Sequence, residues 1–344
     1  MEVSDRLAVF ETAERGAEFE LLQVVANPVA NTLADAGIYL GRPLEELFPA
    51  RAAVPNVTVT RRWRVGGLLS EDLAFRSLHV PLEPNFSRRY IRDYRETRRV
   101  YARRIRPAAA GARPRLLYLH GYMQPETFVE ELALLTTMAL RFNVEVVQMQ
   151  LPYHGRRAPR ASRFSGELFW TADMVRSIEA LRQTLLDART LLGWLRAQDD
   201  RPVGVAGLSL GGTLTLALAC LEERLAFAVP LIAHMDLAAL ISDAPVLTKM
   251  RHDLTSFGWR KKEFDDFARR IGWHELRPKM PADRVLMFAA SEDRFFDPRL
   301  VRRLWRDWGK PAIHWYPTSH IGFLTHLPEV LGVMQQFIER RTSE

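Results

Sequence analysis

The chain has 344 residues, 47% of them hydrophobic and 26% charged, the balance of a soluble protein long enough for one large α/β domain plus an extension. Its single cysteine, Cys220, excludes an internal disulfide, and its longest uncharged run, Val203 to Leu221, is broken by glycines, so no transmembrane span is needed. The net charge of +7 comes with no zinc-finger, RNP or helix-turn-helix pattern, which argues against nucleic acid as a partner.

Lys249, Lys261, Lys262, Lys279 and Lys310 are the only lysines, so 43 of the 48 basic residues are arginine. A GC-rich genome produces such a bias more readily than selection for a polyanion does. Met1 to Arg6 lack the basic and then apolar regions of a signal peptide. A reducing, cytoplasmic setting is expected, with Cys220 as inert packing.

Residues 1–50 read as a helical extension, with Glu18 to Asp35 helix-compatible and Leu44 to Phe48 a short amphipathic turn. Strands are expected over Val57–Val65, Glu71–Val80 and Arg99–Ile105 from β-branched, alternating residues. Arg115–Leu119 is a compact apolar strand ending in His120-Gly121-Tyr122. A helix over Pro125–Phe142 follows, with Phe128, Leu132, Leu135 and Ala139 on one face, and then a strand over Asn143–Met149.

The loop Leu151–Arg160 leaves that strand where open α/β sheets bind ligands. Arg156, Arg157, Arg160 and Arg163 crowd into it, and two readings stand: a bidentate clamp for carboxylate or phosphate, or a solvated loop. Met174–Gln198 reads as a long amphipathic helix. From residue 115 onward strand and helix alternate, the pattern of a parallel sheet with right-handed crossovers.

Val203–Ala206 is a short apolar strand and Thr213–Leu221 an apolar helix. Between them lies Gly207-Leu208-Ser209-Leu210-Gly211, a G-x-S-x-G. A strand reversing sharply into a helix strains the middle residue, and glycines remove the Cβ atoms that would clash. The Ser209 hydroxyl is left above the sheet at the positive end of a helix dipole. The Leu210 N–H points where a tetrahedral oxyanion would form, and Gly121 with the Tyr122 N–H is placed to supply the second donor. His120 reads as a structural hydrogen-bonder rather than a base.

Leu225–Ala233 is a further strand, and the stretch Arg284–Asp293 another buried one with an acid just past its end. The fifty residues between them, 234–283, offer no strand and are too long for a plain crossover, so they read as a largely helical lid over Ser209. Met250, Phe257 and Trp259 are expected to line an apolar acyl pocket there, with Arg156 and Arg157 at its mouth and His154 and His234 in its wall. Arg299–Trp308 is a helix opened by Asp297-Pro298. Ala312–Tyr316 is the last strand, and Pro328–Arg340 the terminal helix.

Ser209, Asp293 and His320 each fall just past a strand's carboxyl end, in the chain order of an α/β-hydrolase triad. Asp297 is the rival acid, explained by a helix cap, and Asp236 a weaker one. His314 and His326 read as structural. No histidine has metal-ligand spacing with a partner, so no metal is expected.

HGY at 120–122, GLSLGG at 207–212, SEDRFFDP at 291–298 and TSHIGFL at 318–324 resemble the α/β-hydrolase superfamily over roughly residues 57–340. PYHGRR at 152–157, with the long helix before GLSLGG, resembles more narrowly the group around abhydrolase domain-containing protein eighteen. The resemblance implies an α/β-hydrolase core, 51–233 and 284–344, with the lid at 234–283. It also implies an esterase, lipase or deacylase needing no cofactor. Thioesterase or acyltransferase chemistry, or a non-catalytic binding protein on the retained fold, are the alternatives. A small-molecule or lipid ester is the expected partner, with peripheral membrane contact open and the oligomeric state unread.

Overall fold

The computed structural model describes residues 33–49, 56–124, 134–271 and 273–343. Most of the expected helix over Glu18–Asp35, and Phe128 and Leu132 of the helix expected from Pro125, lie outside the described residues.

Nine strands form one sheet: β1 (Thr58–Val65), β2 (Leu68–Arg76), β3 (Arg99–Pro107), β4 (Arg115–Leu119), β5 (Glu145–Met149), β6 (Val203–Leu208), β7 (Ala228–Leu231), β8 (Leu286–Ala290) and β9 (Ala312–Tyr316). The order is β1-β2-β3-β5-β4-β6-β7-β8-β9. β1, β2 and β3 pair antiparallel, and β3 pairs antiparallel with β5. Every later pairing is parallel. The central parallel strands are buried because helices cover both faces; Arg115–Leu119 and Glu145–Met149 are buried along their whole lengths. β2 begins three residues earlier than its pattern suggests, paired to β1 through the Gly66-Gly67 turn.

The helices are α1 (Leu33–Gly37), α2 (Leu44–Leu47), α3 (Pro84–Asp93), α4 (Thr136–Arg141), α5 (Met174–Arg196), α6 (Leu210–Leu221), α7 (Leu237–Asp243), α8 (Thr248–Ser256), α9 (Lys261–Ile271), α10 (Pro298–Asp307) and α11 (Leu327–Thr342). One apolar layer packs α5 and α6 with α7 and α9. The other packs α4 and α11 against the opposite sheet face. Among its described residues, 234–283 contains only helices and turns, as its sequence predicts.

α5 departs from its expected amphipathic character, since nearly all of it is buried. Its charged residues do not face water. Tyr39 donates to Glu179 at 2.7 Å, and Glu179 also meets His79 at 3.2 Å and Arg182. Arg176 donates to the Tyr94 hydroxyl at 3.0 Å. The segments around Tyr39 and His79 thus cover the side of α5 that the sequence pattern assigns to solvent. Phe48 packs edge-on against Trp273 at 5.5 Å, tying the residues before β1 to the 234–283 insert.

The start of α6 has the tightest packing. A Cβ on Gly211 would stand 1.9 Å from the Leu119 carbonyl oxygen, and one on Gly207 2.4 Å from that of Gly211. Gly332, inside α11, has nothing within 4 Å of the same position. Gly211→Ala should therefore destabilise by about 3 kcal/mol or more, as forced overpacking does. Gly332→Ala should stabilise by about 0.5–1 kcal/mol through helix propensity. Urea unfolding of both variants checks the contrast.

Candidate active site

Ser209 sits between β6 and α6 with φ 56° and ψ −115°, a left-handed strain that a serine rarely adopts. Its N–H donates to the Leu231 carbonyl on β7 at 3.0 Å, and its own carbonyl accepts from Thr213 at 3.0 Å. The neighbouring strand and the first turn of α6 hold the strain in place.

His320 lies past β9. Its Nε2 stands 3.0 Å from Ser209 Oγ and its Nδ1 2.8 Å from Asp293 Oδ2. An ionised carboxylate only accepts, so Nδ1 carries the proton and Nε2 accepts from the serine hydroxyl. Asp293 is buried past β8, and its Oδ1 accepts the Phe295 and Phe296 N–H groups at 2.8 and 2.9 Å. That turn lays both aromatic rings against the imidazole, centroids 4.8 Å away for Phe295 and 5.5 Å, stacked, for Phe296. The sequence reading missed these two rings; their position directly after the acid was the available signal.

The competing groups are placed elsewhere. Asp297 caps α10 by accepting from Arg299 at 2.8 Å, and Asp236 caps α7 by accepting from Ala239 at 3.0 Å. His314 stacks on Phe288 and His326 lies against Tyr316.

Gly121 is buried beside the elbow: a Cβ there would lie 3.8 Å from that of Ser209. His120 holds this loop. Its Nδ1 donates to the Gly121 carbonyl at 2.8 Å and its Nε2 accepts from Leu151 at 3.1 Å. Burial pushes its pKa down to about 4, so the ring stays neutral in that tautomer. The Leu210 amide opens α6 and has no acceptor within the helix. Among the described residues, no group of three or more His, Cys, Asp or Glu side chains could hold a metal.

A model of the family described as alpha/beta hydrolase domain containing 18 matches residues 60–255. Two uncharacterized proteins from strains of Mycobacterium tuberculosis are 33% identical over 258 residues, covering 72% of this chain and 58% of theirs. The chain belongs to the alpha/beta hydrolase domain containing 18 family. Similar solved structures include the acetyl xylan esterase from a Paenibacillus species, with a TM-score of 0.59 and 16% identity over 93% of this chain and 98% of that one. Acetyl xylan esterase 1 from a Thermoanaerobacterium species gives 0.58 and 20% over 92% and 96%. At such identities the likeness is one of fold, here the α/β-hydrolase fold. Among the described residues no helix is long and apolar enough to cross a membrane.

Within this family member the expected arginine fork does not form. Arg157 is fully buried, donating to the Gln150 and Thr97 carbonyls at 2.8 and 2.7 Å and to Asp187 at 2.6 Å. Arg156 lies over the Tyr101 ring, 4.0 Å from its centroid, with Asp72 3.9 Å away. Arg163 pairs with Glu167 at 2.8 Å, and Arg160 is exposed. Desolvating a guanidinium requires a buried carboxylate, and Asp187 on α5 draws Arg157 inward.

The expected pocket residues are also redistributed. His154 is fully buried, its Nδ1 donating to the Pro152 carbonyl at 2.8 Å and its ring edge-on to His120, Tyr122 and Phe169. It packs behind Tyr122. His234 is buried behind Phe296, its Nδ1 accepting from Asp236 at 3.2 Å. Met250 is buried in the packing of the insert and Phe257 packs partly buried against it. Trp259 lines a cavity walled entirely by the insert, including Arg251, Leu254 and Phe264. Of the three, Trp259 alone lines that cavity.

Two outcomes follow from this placement. Arg157→Ala should cost about 3–5 kcal/mol by stranding Asp187 in the core, whereas Arg156→Ala should cost about 1 kcal/mol or less; denaturant titration separates them. His120 and His234 both have folded pKa values lowered by burial to about 4, from an ordinary 6.5. The unfolded chain therefore takes up protons first as pH falls below 6.5. Stability is complete above that value and declines towards pH 4, by about 1.4 kcal/mol per pH unit for each ring. Unfolding free energies measured from pH 7 to 4.5 should show that slope, and His234→Gln should reduce it by about one proton's worth.

Proposed function

We propose that the protein is a serine hydrolase that cleaves a carboxylic ester through an acyl-enzyme. The observation that carries this reading is the continuous hydrogen-bonded line from buried Asp293 through His320 to the strained Ser209. In this mechanism His320 Nε2 takes the hydroxyl proton as Ser209 Oγ bonds to the acyl carbon. The carbonyl π electrons move to oxygen, where the Leu210 and Tyr122 amides beside Gly121 receive the negative charge, each worth about 3 kcal/mol.

The intermediate collapses as the C–O bond to the alcohol breaks, and the alcohol leaves with the proton from His320. Water then repeats the sequence, releasing the carboxylic acid and restoring Ser209. Asp293 stays ionised and steadies the imidazolium, while Phe295 and Phe296 fix the plane of the ring. The 234–283 insert serves as a cap over this side of the sheet. It starts straight after β7, and α7 and α9 pack on α5.

Ser209→Ala should abolish both p-nitrophenyl butyrate turnover and fluorophosphonate labelling. Asp293→Asn should lower kcat by about 10^3–10^4, since it favours the wrong tautomer. Asp297→Asn keeps a good cap and should change kcat by about twofold at most. Labelling that persists in Ser209→Ala, or equal losses for the two Asp variants, would overturn the assignment.

A further inference from the structure

Leu208 precedes the nucleophile and points to the sheet face opposite α6, where α4 and α11 pack. An apolar cavity of about 250 Å³ opens on that face. Its floor is Tyr118, Leu208 and Leu231, each at or next to the carboxyl end of its strand. Its lining also includes Gln124, two residues past Tyr122, and Leu324, four residues past His320. Met138 of α4 and Met334 of α11 form its far wall. Among the described residues, this space beside the end of β6 exceeds the water-sized voids that native interiors hold.

We infer that this cavity receives the acyl chain of the ester and selects straight chains of roughly eight to ten carbons, a void of about 150 Å³ being enough for a six-carbon ring. The inference rests on the serine-hydrolase reading of Ser209. The chemistry of the walls selects the occupant. Among the described residues no charged side chain lines the cavity, so a charged head would lose its water there without gaining an ionic partner. An alkyl chain loses nothing there.

The position fits the same end of the substrate. The acyl carbon must sit on Ser209 Oγ with its oxygen at the Leu210 and Tyr122 amides. Leu208 and Gln124 flank those two groups in sequence, and both line the cavity. The other spaces fit less well. The apolar slot between α5 and the insert, lined by Tyr39 and Trp170, has room for about 30 Å³, about one water. The cavity beside Trp259 carries Arg251 and Lys261.

The test uses the full chain and p-nitrophenyl esters from acetate to palmitate. Each methylene buried should raise kcat/KM roughly threefold, so octanoate should exceed acetate by at least about a hundredfold, with a fall beyond decanoate. Met138→Trp and Met334→Trp fill the cavity from different helices and should lower the octanoate-to-acetate ratio at least tenfold. Should either fail to fold, as judged by its thermal melt, Met138→Phe and Met334→Phe replace it. The labelling rates of the wild type by octyl and ethyl fluorophosphonates provide a second readout, the octyl reagent being faster. Ser209-dependent turnover that favours acetate, or an unchanged ratio in folded variants, would overturn the cavity assignment and leave the hydrolase reading standing. Absence of Ser209-dependent turnover or labelling with every reagent would overturn both.

Discussion

The contact on which the site depends is the approach of the first turn of α6 to the end of β4. Gly211 is pressed so close to the Leu119 carbonyl that no other residue fits. Pulling the helix in this far leaves too little chain to round the corner in an ordinary conformation, and Ser209 absorbs the shortage as positive φ. Gly121, two residues past Leu119, lies against the same corner, where a Cβ on it would stand 3.6 Å from the Leu208 carbonyl oxygen and 3.8 Å from the Ser209 Cβ. The strain at Ser209 and the close packing of Gly121 are therefore one constraint, and β7 reinforces it through the Ser209–Leu231 hydrogen bond.

Arginine is the chain's dominant cation, and a few arginines lie inside. Arg115, Arg157 and Arg176 are among the largest fully buried side chains. Arg115 donates to the Leu195 carbonyl and to Asp199, Arg157 joins α5 to the loops after β5 and before β3, and Arg176 reaches Tyr94 and Thr171. A planar fork with five donors can satisfy several carbonyls while pairing with one carboxylate, which a lysine cannot do. Burial of this kind is strong only as a set, because losing one partner strands the other. The PYHGRR segment belongs to this framework, which binds α5 to the antiparallel half of the sheet.

The elements read best from sequence were those whose signal is local. β4 was placed to the residue, and Asp297-Pro298 marked the start of α10 because cap and N1 chemistry act within one turn. The order Ser209, Asp293, His320 was legible because each residue follows a strand end. What the sequence could not show was direction. Arg156 and Arg157 are adjacent, yet one turns outward over Tyr101 and the other into the core towards Asp187. Nothing in a run of arginines distinguishes the two until α5 is in place. The α5 pattern misled for the same reason. Its polar face reads as wet, but Tyr39 and His79, 140 and 100 residues away in sequence, cover it.

The segment SEDRFFDP shows how one short stretch supports two unrelated tasks. Asp293 and Asp297 are four residues apart, and composition cannot rank them. The backbone does. After β8 the chain turns so that the Phe295 and Phe296 amides point back at Asp293 Oδ1, which leaves Oδ2 for His320. Their rings are carried to the imidazole by the same turn, and Phe296 in turn seats His234, whose burial keeps it neutral. Asp297 then meets the α10 amides and Arg299, which holds its carboxyl below the ordinary range. One carboxylate is buried against a histidine and the other left at a helix end in water. The fold assigns them different chemistry through the hydrogen bonds it offers each.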